Sequence, residues 1–105
     1  MPGVLVAISI PIFTTQLEKA REATDAANIR AAYAEVSADA ITADTNDTVE
    51  AKTVAAKQTQ AKWQSQGNAE KIDIGGQQVD ARVNGAEWTI SATKGTDGTY
   101  TVTIK

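Results

Sequence analysis

Residues 14–43, TTQLEKAREATDAANIRAAYAEVSADAITA, decide the fold. These 30 residues contain no Gly and no Pro, and ten are Ala, the residue with the highest helix propensity. Leu17, Ala20, Thr24, Ala27, Ala31, Ala34, Ala38 and Ile41 recur at alternating spacings of three and four, a heptad-type seam with Thr24 as its one polar member. Ile29, Tyr33, Val36 and Ala40 keep the same rhythm. At about 100° per residue they lie roughly opposite the seam. Glu18, Arg21, Glu22, Asp25, Glu35 and Asp39 are expected on the flanks. The stretch is predicted to be a helix with two apolar faces, one bulky and one small. A helix resting on one sheet needs only one such face. Either a loop covers the second, or the bulky face docks on the sheet and the Ala seam, which permits close approach, meets other subunits.

Upstream, Val4 to Phe13 (VLVAISIPIF) is apolar apart from Ser9. Ten residues are about half of the roughly 20 a helix needs to cross a bilayer. Such a run reads as a core strand, a buried helix segment or the tail of a longer apolar segment. If the helix continues back to Val4 it has about 40 residues and is about 60 Å long. A compact domain of this size is only about 35 Å across. The apolar end should then protrude, and Ile8, Ile10, Ile12 and Phe13 would need a partner or a membrane. Pro11 either kinks this helix, at about 3 kcal/mol in an ordinary interior, or starts it, since proline suits the first turn.

Beyond Ala43 the chemistry changes. Asp44-Thr45-Asn46-Asp47 is a turn sequence, and its carboxylates lack the alternate spacing, sixth-position Gly and twelfth-position Glu of a calcium loop. Thr48 to Lys62 (TVEAKTVAAKQTQAK) mixes helix-favouring Ala, Lys and Gln with strand-favouring Val and Thr, and fits either element. Trp63 follows, then a loop at Ser65-Gln66-Gly67-Asn68. The last third alternates with period two. Ile72 and Ile74 lead through Gly75-Gly76 to Val79, Ala81 and Val83. Asn84-Gly85, the strongest hairpin signal in the chain, leads to Trp88, Ile90 and Ala92. Gly95-Thr96-Asp97-Gly98 turns into Tyr100, Val102 and Ile104. The expected fold is α+β: a long N-terminal helix (1–43) packed through Ile29, Tyr33 and Val36 on a three- to four-stranded antiparallel sheet (44–105), in one domain.

Composition narrows the function. A chain of 105 residues with 42% apolar and 22% charged residues has the makeup of one folded domain, which argues against disorder. Without Cys or His it lacks disulfides, thiolate metal sites, Cys nucleophiles and His bases. Ser9, Ser37, Ser65 and Ser91 have no His to activate them, and Glu35 and Asp39, one turn apart, read as an exposed acidic face. A net charge of −3 argues against nucleic acid as a partner. Residues 1–48 hold three basic and seven acidic groups, residues 49–105 seven and six, a contrast that fits ordinary solvated surface or pairing between copies. No catalytic residue, metal or cofactor is expected, and the chain does not read as an enzyme.

Val4 to Arg30 (VLVAISIPIFTTQLEKAREATDAANIR) resembles the second half of the N-terminal segment of type IV pilins and related pseudopilins. In that family an apolar membrane helix ends in an Ile/Ala-rich stretch with a proline, followed by a polar helix. Ile10-Pro11 matches the proline, and Lys19-Ala20-Arg21 and Ala27-Asn28-Ile29-Arg30 match the polar continuation. The likeness covers residues 4–36, about a third of the chain; the rest agrees in architecture alone. It implies a structural subunit that is anchored in the inner or cytoplasmic membrane, processed by a prepilin peptidase, methylated and handed to a pilus assembly machinery. There it would polymerise with copies of itself into a surface filament for adhesion, motility or DNA uptake, with Ile8, Ile10, Pro11, Ile12, Phe13 and Leu17 in helix contacts.

The family's leader, cleavage site and N-terminal acidic residue have no counterpart here. The expectation is a shortened N-terminus, with Met1-Pro2-Gly3 wholly or partly an added start. The absence of the Cys pair that closes many pilin C-terminal loops points to a Gram-positive source. A secretion or competence pseudopilin is the alternative within the family. A small secreted ligand-binding module and a coiled-coil adaptor using the Ala seam are the alternatives outside it.

Overall fold

In the computed structural model the backbone is described for residues 2–43 and 48–105, and the side chains for residues 15–43 and 48–105. One helix, α1 (Pro2–Thr42), is followed by β1 (Lys52–Ala55), a 3-10 turn (Gln64–Gln66), β2 (Lys71–Ile74), β3 (Gln77–Asp80), β4 (Glu87–Lys94) and β5 (Tyr100–Ile104). The helix passes through position 11 without a break, so Pro11 does not start it. The turn expected at Asp44–Asp47, and with it the comparison to a calcium loop, lies outside the described residues. At 41 residues α1 is too long for the strands it serves. The molecule measures 68 × 20 × 19 Å, and its radius of gyration is 17.9 Å against about 13 Å for a compact chain of this size.

The chain is an α+β domain with its long helix on an antiparallel sheet region. The main sheet has three strands in the order β1-β4-β5. Val54 lies opposite Trp88 and Lys52 opposite Ile90; on the other side Ile90 lies opposite Ile104 and Ala92 opposite Val102. The period-two pattern read from the sequence therefore points Val54, Trp88, Ile90 and Ile104 toward α1, and all four are buried. The helix meets them with Ala26, Ile29, Ala32 and Val36. Ile29 and Val36 are fully enclosed, worth about 1.5–3 kcal/mol each relative to exposure. The ambiguous stretch from Thr48 to Lys62 resolves into the short strand β1 and an irregular run after it.

β2 and β3 form a separate two-stranded hairpin. Its turn is the expected Gly75-Gly76, closed by the Gly76 N–H donating to Asp73 Oδ1 at 2.9 Å. Two tryptophans join it to the rest. Trp63 and Trp88 stack at 6.0 Å between ring centroids, 22° from parallel. Trp63 Nε1 donates to the Val79 carbonyl at 3.1 Å and Trp88 Nε1 to the Asp80 carbonyl at 2.7 Å. Their burial thus leaves neither indole N–H unpaired. Gln77 completes the join, donating from Nε2 to the Val102 carbonyl and accepting the Ile104 N–H at Oε1 at 2.9 Å.

The hairpin expected at Asn84-Gly85 is not formed. The third strand stops at Asp80 instead of continuing to Val83, and β3 and β4 belong to different sheets. Residues 83–86 do make a tight turn, closed by the Ala86 N–H donating to the Val83 carbonyl at 3.0 Å, with Gly85 at φ 103°. The turn chemistry was legible; the pairing was not. The Asn84 N–H goes to the Gln58 carbonyl at 2.8 Å and the Asp80 carbonyl goes to Trp88, which draws the two flanks apart.

The Gly75 turn sits directly on α1. A Cβ at Gly75 would lie 2.5 Å from Tyr33 Cζ, and φ there is +60°. Gly76, at φ +80°, faces open space. Gly75→Ala should therefore cost about 2–4 kcal/mol, combining left-handed strain with overpacking on the ring. Gly76→Ala should cost only the strain, about 1–2 kcal/mol. Urea unfolding of the two variants measures the difference.

Candidate functional site

The two faces of α1 have different chemistries, and both bear on function. On the docked face, the apolar stripe Ile29–Ala32–Val36 continues toward the N-terminus at the same spacing as Asp25, Glu22 and Glu18, and all three carboxylates are buried. The expectation that they lie on the flanks is corrected here. They face the run from Ala56 to Gln66, whose N–H groups at Lys57, Gln58, Thr59, Gln60 and Ser65 find their acceptors on these side chains.

Asp25 accepts the Lys57 N–H at both oxygens, each at 3.0 Å, and the Gln58 N–H at Oδ2, also at 3.0 Å. Glu18 accepts the Thr59 N–H at 2.9 and 3.1 Å, the Gln60 N–H at 2.9 Å and the Thr59 hydroxyl at 2.7 Å. Glu22 Oε1 accepts the Ser65 N–H at 2.8 Å. Charge-assisted bonds of this kind are roughly twice as strong as neutral ones. Arg21 stands 3.6 Å from Glu18 Oε1. Burial pushes the Glu18 carboxyl up, but the Thr59 hydroxyl, the Gln60 and Thr59 N–H groups and Arg21 together outweigh it and hold the group below the usual carboxylate range. Two acceptors, Glu22 Oε2 and Gln58 Oε1, are buried with no protein donor.

The opposite face is open. Ala20, Thr24, Ala27, Ala31, Ala34 and Ala38 are all exposed, Leu17 is 39% exposed and Ile41 84%. No loop of this chain covers the seam among the described residues. Of the two explanations for a second apolar face, cover by a loop finds no example among the described residues. At the C-terminal end, Ser37, Ala40 and Ile41 border an open cleft of about 390 Å³ whose other wall is Gly98, Thr99, Tyr100 and Val102. Glu35 and Asp39 are exposed, with Glu35 Oε2 3.8 Å from Lys52 Nζ.

Of the residues expected at helix contacts, Leu17 lies on the open seam. The side chains of Ile8, Ile10, Pro11, Ile12 and Phe13 lie outside the described residues. Of those expected against the sheet, Ile29 and Val36 are in the core and Tyr33 is half-buried beneath Gly75. Among the described residues no group of three or more His, Cys, Asp or Glu is placed to hold a metal ion, and no helix is long and apolar enough to cross a membrane. The buried carboxylates were missed in the sequence. Their signal was position: stepping back from Ile29 by four, three and four reaches Asp25, Glu22 and Glu18. No family model matches the chain, and no curated protein or solved structure matches it either.

Asp25→Ala should cost about 2–4 kcal/mol, because it orphans the buried N–H of Gln58 and that of Lys57. Ala27→Ser, two positions on but on the open face, should change stability by no more than about 0.5 kcal/mol. Thermal unfolding distinguishes them. A carboxyl held low contributes stability above its unfolded pKa, near 4.3 for Glu, and loses it as pH falls through the lower folded value. Glu18→Gln should therefore be less stable than wild type at pH 7, and the gap should close as the pH is lowered from about 5 to about 3. Denaturant midpoints across that range test the sign.

Proposed function

We propose that this chain is a structural subunit of a type IV pilus-like surface filament, assembling through α1 with copies of itself. The observation that carries the reading is the open seam. A helix of 41 residues docks one face on its own sheet and leaves uncovered a seam from Leu17 to Ile41 that is mostly Ala, with Thr24 its one polar member. Small side chains allow backbones to approach closely, so a line of them on a protruding helix suits side-by-side helix packing better than ligand capture. The Ile10-Pro11 and Ala27-Asn28-Ile29-Arg30 segments agree with the pilin pattern along the same helix. On this reading residues 4–13 anchor the subunit in the membrane before assembly and join the filament core after it. On the same reading a pilus assembly machinery and a prepilin peptidase act on the subunit, and the chain catalyses nothing itself.

The test is made in the protein expressed in its own cells. Replacing Ile8, Ile10 and Phe13 by Ser should abolish surface filaments while the subunit still accumulates folded in the membrane. Each change removes an apolar contact worth roughly 1.5–3 kcal/mol, repeated in every subunit. Ala27→Glu with Ala34→Glu, on the open seam, should do the same with the isolated domain's melting temperature little changed. Normal filaments from both variants, seen by electron microscopy, would overturn the proposal.

A further inference from the structure

We propose that Asn84 is a site of spontaneous self-modification. The backbone nitrogen of Gly85 closes on the Asn84 side-chain amide, ammonia leaves, and Asp or isoAsp remains at position 84, the second of these straining the turn that holds it.

The step balances between the chain and water. The Gly85 nitrogen gives up its proton and bonds to Asn84 Cγ, the Cγ–Nδ2 bond breaks, and Nδ2 departs with that proton as ammonia. The five-membered imide left behind takes up one water at either carbonyl. Opening at one carbonyl gives Asp with the backbone as before. Opening at the other gives isoAsp, whose backbone runs through Cβ. The same atoms stand at every Asn in a chain, so what decides is whether the attacking nitrogen and the amide are held elsewhere.

Three asparagines fall among the described residues, and their surroundings separate them. Asn28 precedes Ile29 inside α1, where the N–H belongs to the helix ladder. Asn68 precedes Ala69, whose N–H donates to the Trp63 carbonyl at 3.2 Å. Asn84 and Gly85 are both exposed. Among the described residues, neither the Asn84 side-chain amide, the Asn84 carbonyl nor the Gly85 N–H has a hydrogen-bond partner. The peptide unit between them can therefore rotate its nitrogen onto Cγ without breaking a bond. Gly85 carries no Cβ, and nothing lies within 4 Å of where one would stand, so the approach is unobstructed.

Asp97-Gly98 shows the restrained counterpart. There Asp97 Oδ1 accepts the Thr99 N–H at 3.1 Å and the Thr99 hydroxyl at 2.7 Å. The Gly98 N–H donates to the Gly95 carbonyl at 3.1 Å. Both reacting groups are held, in the same residue pairing that is unheld at 84–85. The turn at Asn84 is instead tied at its two ends. The Asn84 N–H donates to the Gln58 carbonyl at 2.8 Å, and the Ala86 carbonyl accepts the Ala56 N–H at 3.0 Å. IsoAsp inserts one more backbone atom between these two ties, whereas Asp inserts none.

Peptide mapping by mass spectrometry with enzymatic detection of isoAsp tests this on the intact chain, incubated at neutral pH and about 37 °C for weeks. Position 84 should gain Asp and isoAsp at least about fivefold faster than position 28 or 68, where a hydrogen bond must first be broken. Asn84→Gln should stay unconverted over the same time, because its imide would be a six-membered ring that closes more slowly. The separated isoAsp chain should melt below the starting protein, while Asn84→Asp melts at the same temperature as the starting protein. The proposal is overturned if position 84 stays intact, if position 28 or 68 converts as fast, or if Asn84→Gln converts at the wild-type rate. It is equally overturned if the isoAsp chain melts with the starting protein.

Discussion

Backbone N–H groups that leave a sheet without entering another element must find acceptors, and in this chain they find them on the helix. After β1 the strand ends and the run to Trp63 passes under α1 with its donors turned toward it. Apolar side chains there would have buried those donors unpaired, at about 1–3 kcal/mol each. Asp25 and Glu18 meet them instead, two or three bonds apiece. The helix can then lie on a surface longer than a three-stranded sheet offers. Its C-terminal part rests on β1, β4 and β5, and the stretch from Glu18 to Asp25 rests on a polar segment that it holds in shape.

The same segment positions Trp63, and through it the small hairpin. Ala56 is still paired with Ala86, and Trp63 is fixed by reciprocal backbone bonding with Ala69. Its ring stacks on Trp88, and the two indoles donate to successive carbonyls at the end of β3. A two-stranded hairpin is marginal alone. Here it is bound on three sides: by the tryptophans, by the Gln77 amide and by Tyr33 beneath Gly75. A chain without disulfides thereby integrates two small sheets through polar bonds made inside an apolar setting.

What could be read from the sequence was whatever depends on near neighbours. The absence of helix breakers from Thr14 to Ala43, the alternation from Trp88 to Thr93 and the glycines of two hairpin turns are local, and the helix, β4 and those turns are where they were expected. Asn84-Gly85 is local too and does form a turn, but which strands a turn joins depends on where distant partners pull its flanks. The buried carboxylates depend on contacts more than 30 residues apart. An acidic residue beside an apolar stripe usually marks solvent. Only the presence of unpaired donors across the interface reverses that reading, and donors of an irregular segment leave no periodic trace. The Ala seam was legible as a face, and its openness became visible once the run from Ala56 to Gln66 was seen to lie on the other side.

The Gln77 amide has one more consequence. In the β4–β5 ladder, residues 101, 103 and 105 face β4, so the Val102 carbonyl and the Ile104 N–H point away from it, along the outer margin of the sheet. An unsatisfied margin of this kind templates the addition of foreign strands and is a common start of aggregation. Gln77 answers both groups with the one side chain that carries a donor and an acceptor in a peptide-like plane. It imitates a single residue of a further strand without offering the rest of one. The opposite margin, β1, is four residues long and carries Lys52, which is itself a poor template. Among the described residues both margins of the three-stranded sheet are thus guarded, one by a single borrowed amide and the other by brevity and charge.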